Sequence, residues 1–226
     1  MNKAVIDDGC NVELMTNFTF DKVLEFPLIK DEIEIIIPKG LVPYSKINNK
    51  TDKELFVCFY ENDTKFREIL LNPEEAYRRI KAFKGIVMPD CSLIIDEPIW
   101  VQLTNIGRNK TFARLMQDKG KYVIPNPRWG DERTYGTTLF NEPPAFVGYP
   151  HNSIVSVGTY GCIKTKEQQI LFKNGFRSMI EYLKPKVVLV YGNTPAFIFN
   201  EFKEKTKIVS YPDWTKYMKQ GGKHGY

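Results

Sequence analysis

Short apolar runs recur along the chain. Each ends in a polar tip and is separated from the next by a stretch with helical spacing. The runs are Leu55–Tyr60, Ile86–Met88, Tyr122–Ile124, Ser153–Val157, Val187–Val190 and Ile208–Ser210. Their nearly continuous apolarity is that of strands buried on both faces, as in a parallel sheet. Between them, Asn72-Pro73-Glu74-Glu75 is a helix start: Asn as cap, Pro at the first position, acids in the first turn. Pro98 opens a helix that Gly107 is expected to split, with Phe112, Leu115 and Met116 on its second apolar face. Thr165, with Glu167 and Gln168 behind it, caps a helix that ends at Lys184-Pro185. About five such βα repeats predict a mainly parallel α/β sheet with right-handed crossovers. A closed eight-unit barrel typically takes ~250 residues. This chain therefore forms a compact or incomplete barrel, and an open doubly wound sheet is the alternative.

Two regions break the rhythm. Residues 1–50 lack sustained periodicity and are expected to form an arm or cap across the sheet, with a strand at Ile33–Ile37 and a surface loop over 43–50. Residues 51–212 form the core in this division, and 213–226 a polar tail. Thr134–Phe140 reads as a strand and Asn141-Glu142-Pro143-Pro144 as a turn, together a hairpin over the sheet edge.

Composition narrows the class. Hydrophobic residues at 42% and charged residues at 26% are those of a globular domain rather than a disordered chain. No apolar run approaches the roughly eighteen residues that cross a bilayer, and the N-terminus lacks the apolar core of a signal peptide, so a cytoplasmic protein without membrane contact is expected. The net charge of +5 is too mild for a dedicated DNA-binding face. Cys10, Cys58, Cys91 and Cys162 form no C-x-x-C pair, which argues against a structural zinc site and a disulfide framework. With only His151 and His224, a histidine metal centre or a Ser-His-Asp triad has almost no material.

Candidate chemistry lies at the strand tips, where parallel α/β folds bind ligands. Asp63, Asp90 and Asp131 each follow a strand run. They are the candidates for acid/base work, with Asp63 and Asp90 as possible ligands of Mg²⁺ or Mn²⁺, although each also suits a cap or loop anchor. No other cofactor is indicated. Arg128 fits a phosphate or carboxylate, and the neighbouring Trp129 can stack on a base or sugar. Asn105 and Arg108, three apart on one helix, can face the same edge. Thr159, in the Gly158–Gly161 tip, and Tyr191 and Asn193, in the next, complete the candidate ligand-binding set. The partner would be a nucleotide or nucleic acid. If the core is only a scaffold, the partner would be a host protein or nucleic acid anchored by aromatics such as Trp100, Trp129, Tyr135, Tyr149 and Trp214.

The tips also form an ordered set: FYENDTKF at 59–66, GIVMPDCS at 85–92, YVIPNPRWGD at 122–131, VSVGTYG at 155–161 with FKNGFRSMIEYLKP at 172–185, and VVLVYGN at 187–193. This set resembles the bacterial and phage family known as domain of unknown function 4417. The resemblance implies a role in a phage–host or mobile-element–host setting and carries no established reaction. Its usual Asp-Phe-Ser stands here as Asp90-Cys91-Ser92, so Cys91 is not expected to be a shared nucleophile.

Overall fold

A computed structural model describes residues 8–219. The strands are β1 (Leu41–Pro43), β2 (Phe56–Cys58), β3 (Gly85–Val87), β4 (Tyr122–Ile124), β5 (Ile154–Gly158), β6 (Val187–Tyr191) and β7 (Lys207–Tyr211). Between and after them come α1 (Glu68–Leu71), α2 (Pro73–Ile80), α3 (Ile99–Asp118), α4 (Glu132–Tyr135), α5 (Lys166–Leu183), α6 (Ala196–Phe199) and α7 (Trp214–Lys219). Every strand pairing is parallel, in two sheets ordered β1-β2-β3-β4 and β5-β6-β7. The Ser156 amide donates to the Pro125 carbonyl at 2.8 Å and joins the sheets edge to edge.

Strand order follows chain order, so there is no reversal of the kind a doubly wound sheet requires. Period-two alternation then sorts the side chains. Val57, Ile86, Val123, Val155 and Val188 join the helices in one large core. Leu41, Phe56, Val87, Ile124, Ile154, Leu189 and Tyr211 belong to a second cluster, built mainly from strand residues, against which Ile35, Ile36 and Ile37 pack. The helices cover the first cluster, while the second is buried by strand side chains facing one another and by the segment 35–37. The result is barrel-like without being a closed barrel, as the apolar runs predict.

Several local expectations are corrected. Ile33–Ile37 forms no strand; the Tyr122 hydroxyl satisfies it instead, accepting from the Ile36 amide at 3.0 Å and donating to the Glu34 carbonyl at 2.8 Å. The stretch assigned to loop at 43–50 begins with the last residue of β1, which pairs with β2, followed by a 3-10 turn at Tyr44–Lys46. α3 is unbroken at Gly107, where the Phe26 ring packs at ordinary contact distance. Thr134–Phe140 opens inside α4 and continues as bends rather than as a hairpin strand. The tail begins with α7, while residues 220–226, with His224, lie outside the described residues.

One glycine positions the site directly. A Cβ at Gly175 on α5 would stand 2.2 Å from the Trp129 indole nitrogen, so the ring lies flat on bare helix backbone. Gly175→Ala gains roughly 1 kcal/mol of helix propensity but forces the ring out of place. Overpacking of this kind costs about 1–3 kcal/mol. A net loss of roughly 1 kcal/mol is expected in urea denaturation, with altered Trp fluorescence. Unchanged emission and stability would show that the indole has room to move.

Candidate functional site

The carboxyl ends of β3, β4 and β5 open into a cavity of about 380 Å³ between the 92–95 loop, the 126–130 loop and the start of α5. Its floor is polar. Asp90 Oδ1 accepts from Asn126 Nδ2 at 2.9 Å and lies 3.6 Å from Arg128 Nε. Asn126 also donates to the Pro89 carbonyl at 3.2 Å, and its Oδ1 accepts from the Tyr60 hydroxyl at 3.3 Å. That hydroxyl meets Ser156 Oγ at 2.7 Å, and the Tyr60 ring stacks on Tyr191. Bare backbone at Gly158 admits the Tyr60 ring, whose nearest atom would be 2.5 Å from a Cβ there.

Arg128 crosses from this network into the cavity. One terminal nitrogen donates to Cys162 Sγ at 3.2 Å, while Nε is buried and makes no hydrogen bond among the described residues. The side chains of Arg128 and Asp90 are 19% and 13% exposed. Burial raises the Asp90 carboxyl above its ordinary range, and the Arg128 charge and the Asn126 amide pull it partly back. Burial also works against the guanidinium, but the neighbouring Asp90 carboxylate and the hydrogen bond to Cys162 outweigh it, so Arg128 is held firmly cationic. Trp129 is 7% exposed and packs against Phe146 and Phe172, forming an aromatic wall of the cavity.

The remaining candidates fall into three other places. Asp63 clamps the neighbouring loop, accepting from the Ser92 amide and hydroxyl at 3.0 Å each; Asn62, not Asp63, is the local cap. Asn105 donates to the Ser92 carbonyl at 2.8 Å and is itself held by Arg108 at 3.0 Å, so this pair fastens the same loop. Asp131 caps α4 and binds Arg133 and Gln102, and the Arg133 hydrogen bond leads in holding its carboxyl well below the usual range. Thr159 is buried against the Tyr191 and Asn193 carbonyls. The Tyr191 hydroxyl accepts from the Trp214 amide, and Asn193 accepts from Lys216, so this trio docks α7 on the sheet.

The structure thus joins Asp90 to Arg128, brings Asp63 near them through Ser92, and separates Asp131 and the Thr159 group. Among the described residues no group of three or more His, Cys, Asp or Glu is placed to hold a metal. Both Asp63 oxygens serve Ser92, and Asp90 faces a guanidinium, so these donors do not fit an oxygen cage for Mg²⁺ or Mn²⁺. Sequence reasoning missed Tyr60, Asn126 and Ser156. The one available signal was a polar residue at Ser156 inside an otherwise apolar strand run.

Fold and cleft together define a singly wound parallel α/β protein with a ligand-sized cavity at the carboxyl ends of its strands. The chain belongs to the family described as domain of unknown function DUF4417, whose model matches residues 18–212. It is 30% identical over 134 residues to the gene 1 protein of Mycobacterium phage L5, covering 59% of this chain and 56% of that protein. Identity to the gene 1 protein of Mycobacterium phage D29 is 26% over 134 residues, covering 59% and 47%. The chain therefore matches about half the length of these relatives and is a phage-type protein. No solved structure matches it. No helix among the described residues is long and apolar enough to cross a membrane.

Proposed function

We propose that the cleft binds a phosphate-bearing ligand, a nucleotide or a nucleic-acid end, through Arg128, with Trp129 in the wall beside it. The observation carrying this reading is a cationic, mostly buried guanidinium that retains unused donors at the edge of a cavity. Asp90 supports it from 3.6 Å, a separation that leaves donors for a ligand rather than consuming them. A planar guanidinium engages phosphate with two parallel hydrogen bonds in a way an ammonium does not.

The interface alternative has less support. Of the aromatics that would anchor it, Trp129, Tyr135 and Tyr149 are buried, and Trp100, at 67% exposed, stands outside the core.

Arg128→Lys preserves the positive charge opposite Asp90 but loses the fork. Calorimetric titration with nucleoside monophosphates in phosphate-free buffer should show binding to the parent chain and weakening of about tenfold or more in the variant, as for loss of a charged hydrogen bond. Equal affinity for both proteins would remove Arg128 from ligand recognition.

A further inference from the structure

We infer that the cleft takes a free mononucleotide, held by one phosphate and one flat apolar body, and not a polyphosphate or a nucleic-acid strand. This rests on the phosphate reading above and narrows it. The first ground is charge. Arg128 is the one cationic side chain lining the cavity among the described residues, and Asp90 lies directly behind it. A triphosphate would bring further negative charge with no matching cation, and Asp63 adds a second acid behind the loop. A nucleic-acid strand is tracked by a groove with several cations along its backbone. The cavity has no such row.

The second ground is size and lining. At about 380 Å³ the cavity lies near the lower end of ligand pockets, which run from roughly 300 to 1,000 Å³. Beside the guanidinium, Trp129 and Phe172 stand with ring centroids 5.1 Å apart, and Leu93 and Leu171 also line the cavity with apolar surface. Such a wall accepts the face of a base. The third ground is the remaining polar capacity. Ser92 and Asn126 spend their side-chain donors on Asp63, Asp90 and Pro89. Gln168 uses Oε1 for the Lys164 and Thr165 amides, but its Nε2 has no partner among the described residues. Arg128 and Gln168 thus offer two polar contacts, enough for a phosphate and one base or sugar oxygen.

Cys162 lies in the cavity wall and reports occupancy without any substitution. The full chain would be alkylated with N-ethylmaleimide, with peptide mapping of Cys162; the partly exposed Cys10 serves as internal reference. A deoxynucleoside monophosphate at about ten times its Kd should slow Cys162 alkylation about tenfold by mass action and leave Cys10 unaffected. Inorganic phosphate, the corresponding triphosphate and a 5′-phosphorylated oligonucleotide should each need higher concentrations for the same protection. Protection by the triphosphate or oligonucleotide at equal or lower concentration overturns the inference and leaves the phosphate reading standing. Inorganic phosphate protecting as well as the mononucleotides overturns the part assigned to the apolar wall, again without touching that reading. If none of these anions protects Cys162, both fall.

Discussion

Replacing Lys110 with methionine should abolish a rise in stability between about pH 7 and pH 10. Lys110 is fully buried on α3, its ammonium 2.7 Å from the Val147 carbonyl and 3.5 Å above the Tyr149 ring. Burial pushes its pKa down from the ordinary 10.5 to about 7, with Asp21 opposing weakly. Between those two values the unfolded chain holds a proton that the folded chain has released. Unfolding must then take up that proton, so stability grows with pH by up to about 1.4 kcal/mol per unit, or roughly 4 kcal/mol across the window. Tyrosines and cysteines with raised pKa values titrate at the alkaline end and act in the opposite sense, but they are common to both proteins. The informative quantity is therefore the difference between parent and Lys110→Met in guanidinium denaturation at successive pH values. The lost bond to Val147 shifts that difference by a constant and leaves its slope alone. Parallel stability curves would mean that Lys110 keeps its ordinary pKa in the fold.

Lys110 also marks a boundary of what the sequence discloses. Long apolar runs such as Val187–Tyr191 were legible because a strand buried on both faces needs no alternation, and the helix starts at Asn72 and Thr165 carry their own capping chemistry. β1 was hidden because two apolar residues between Gly40 and a closing proline give no pattern to detect. At Ile33–Ile37 the pattern was present but the pairing was not, since a tyrosine hydroxyl serves the backbone in place of a neighbouring strand. Lys110 sits in an α3 segment where apolar and polar residues alike are buried, so periodicity could not place it.

The candidate site shows the same division. That Asp90 and Arg128 lie at strand ends followed from the run lengths. Their contact depends on how far the strands curl, which no local pattern records. The inner side of a curled sheet is also where Tyr60, Asn126 and Ser156 meet. Tyr60 and Asn126 follow β2 and β4 and Ser156 lies within β5, so they become neighbours only through the packing of the strands. Asp131 resembled the other two acids in sequence, yet it caps α4 by accepting from the Arg133 amide and is further held by the Arg133 guanidinium.

Arg128→Met should cost about 3 kcal/mol at pH 7, because removing one partner of a mostly buried ion pair leaves the other charge uncompensated. The 3.6 Å separation and the slight exposure of both groups place the expected loss at the lower end of such cases. The pH dependence distinguishes this cause from lost packing. Without the guanidinium, burial is opposed only by the Asn126 hydrogen bond, and the Asp90 pKa rises still further above the ordinary 3.8. The folded variant then holds a proton that the unfolded chain gives up. Its stability is full below the unfolded pKa and declines as pH rises through the folded one. The penalty should therefore be smaller at pH 5 than at pH 7, measured by urea denaturation of parent and variant at both values. Adding Asp90→Asn to Arg128→Met removes the stranded charge while keeping an acceptor oxygen for Asn126, and should recover most of the loss at pH 7. A penalty that is the same at both pH values and persists in the double variant would assign Arg128 a packing role. The ion pair would then cease to explain why the guanidinium is held in the wall of the cleft.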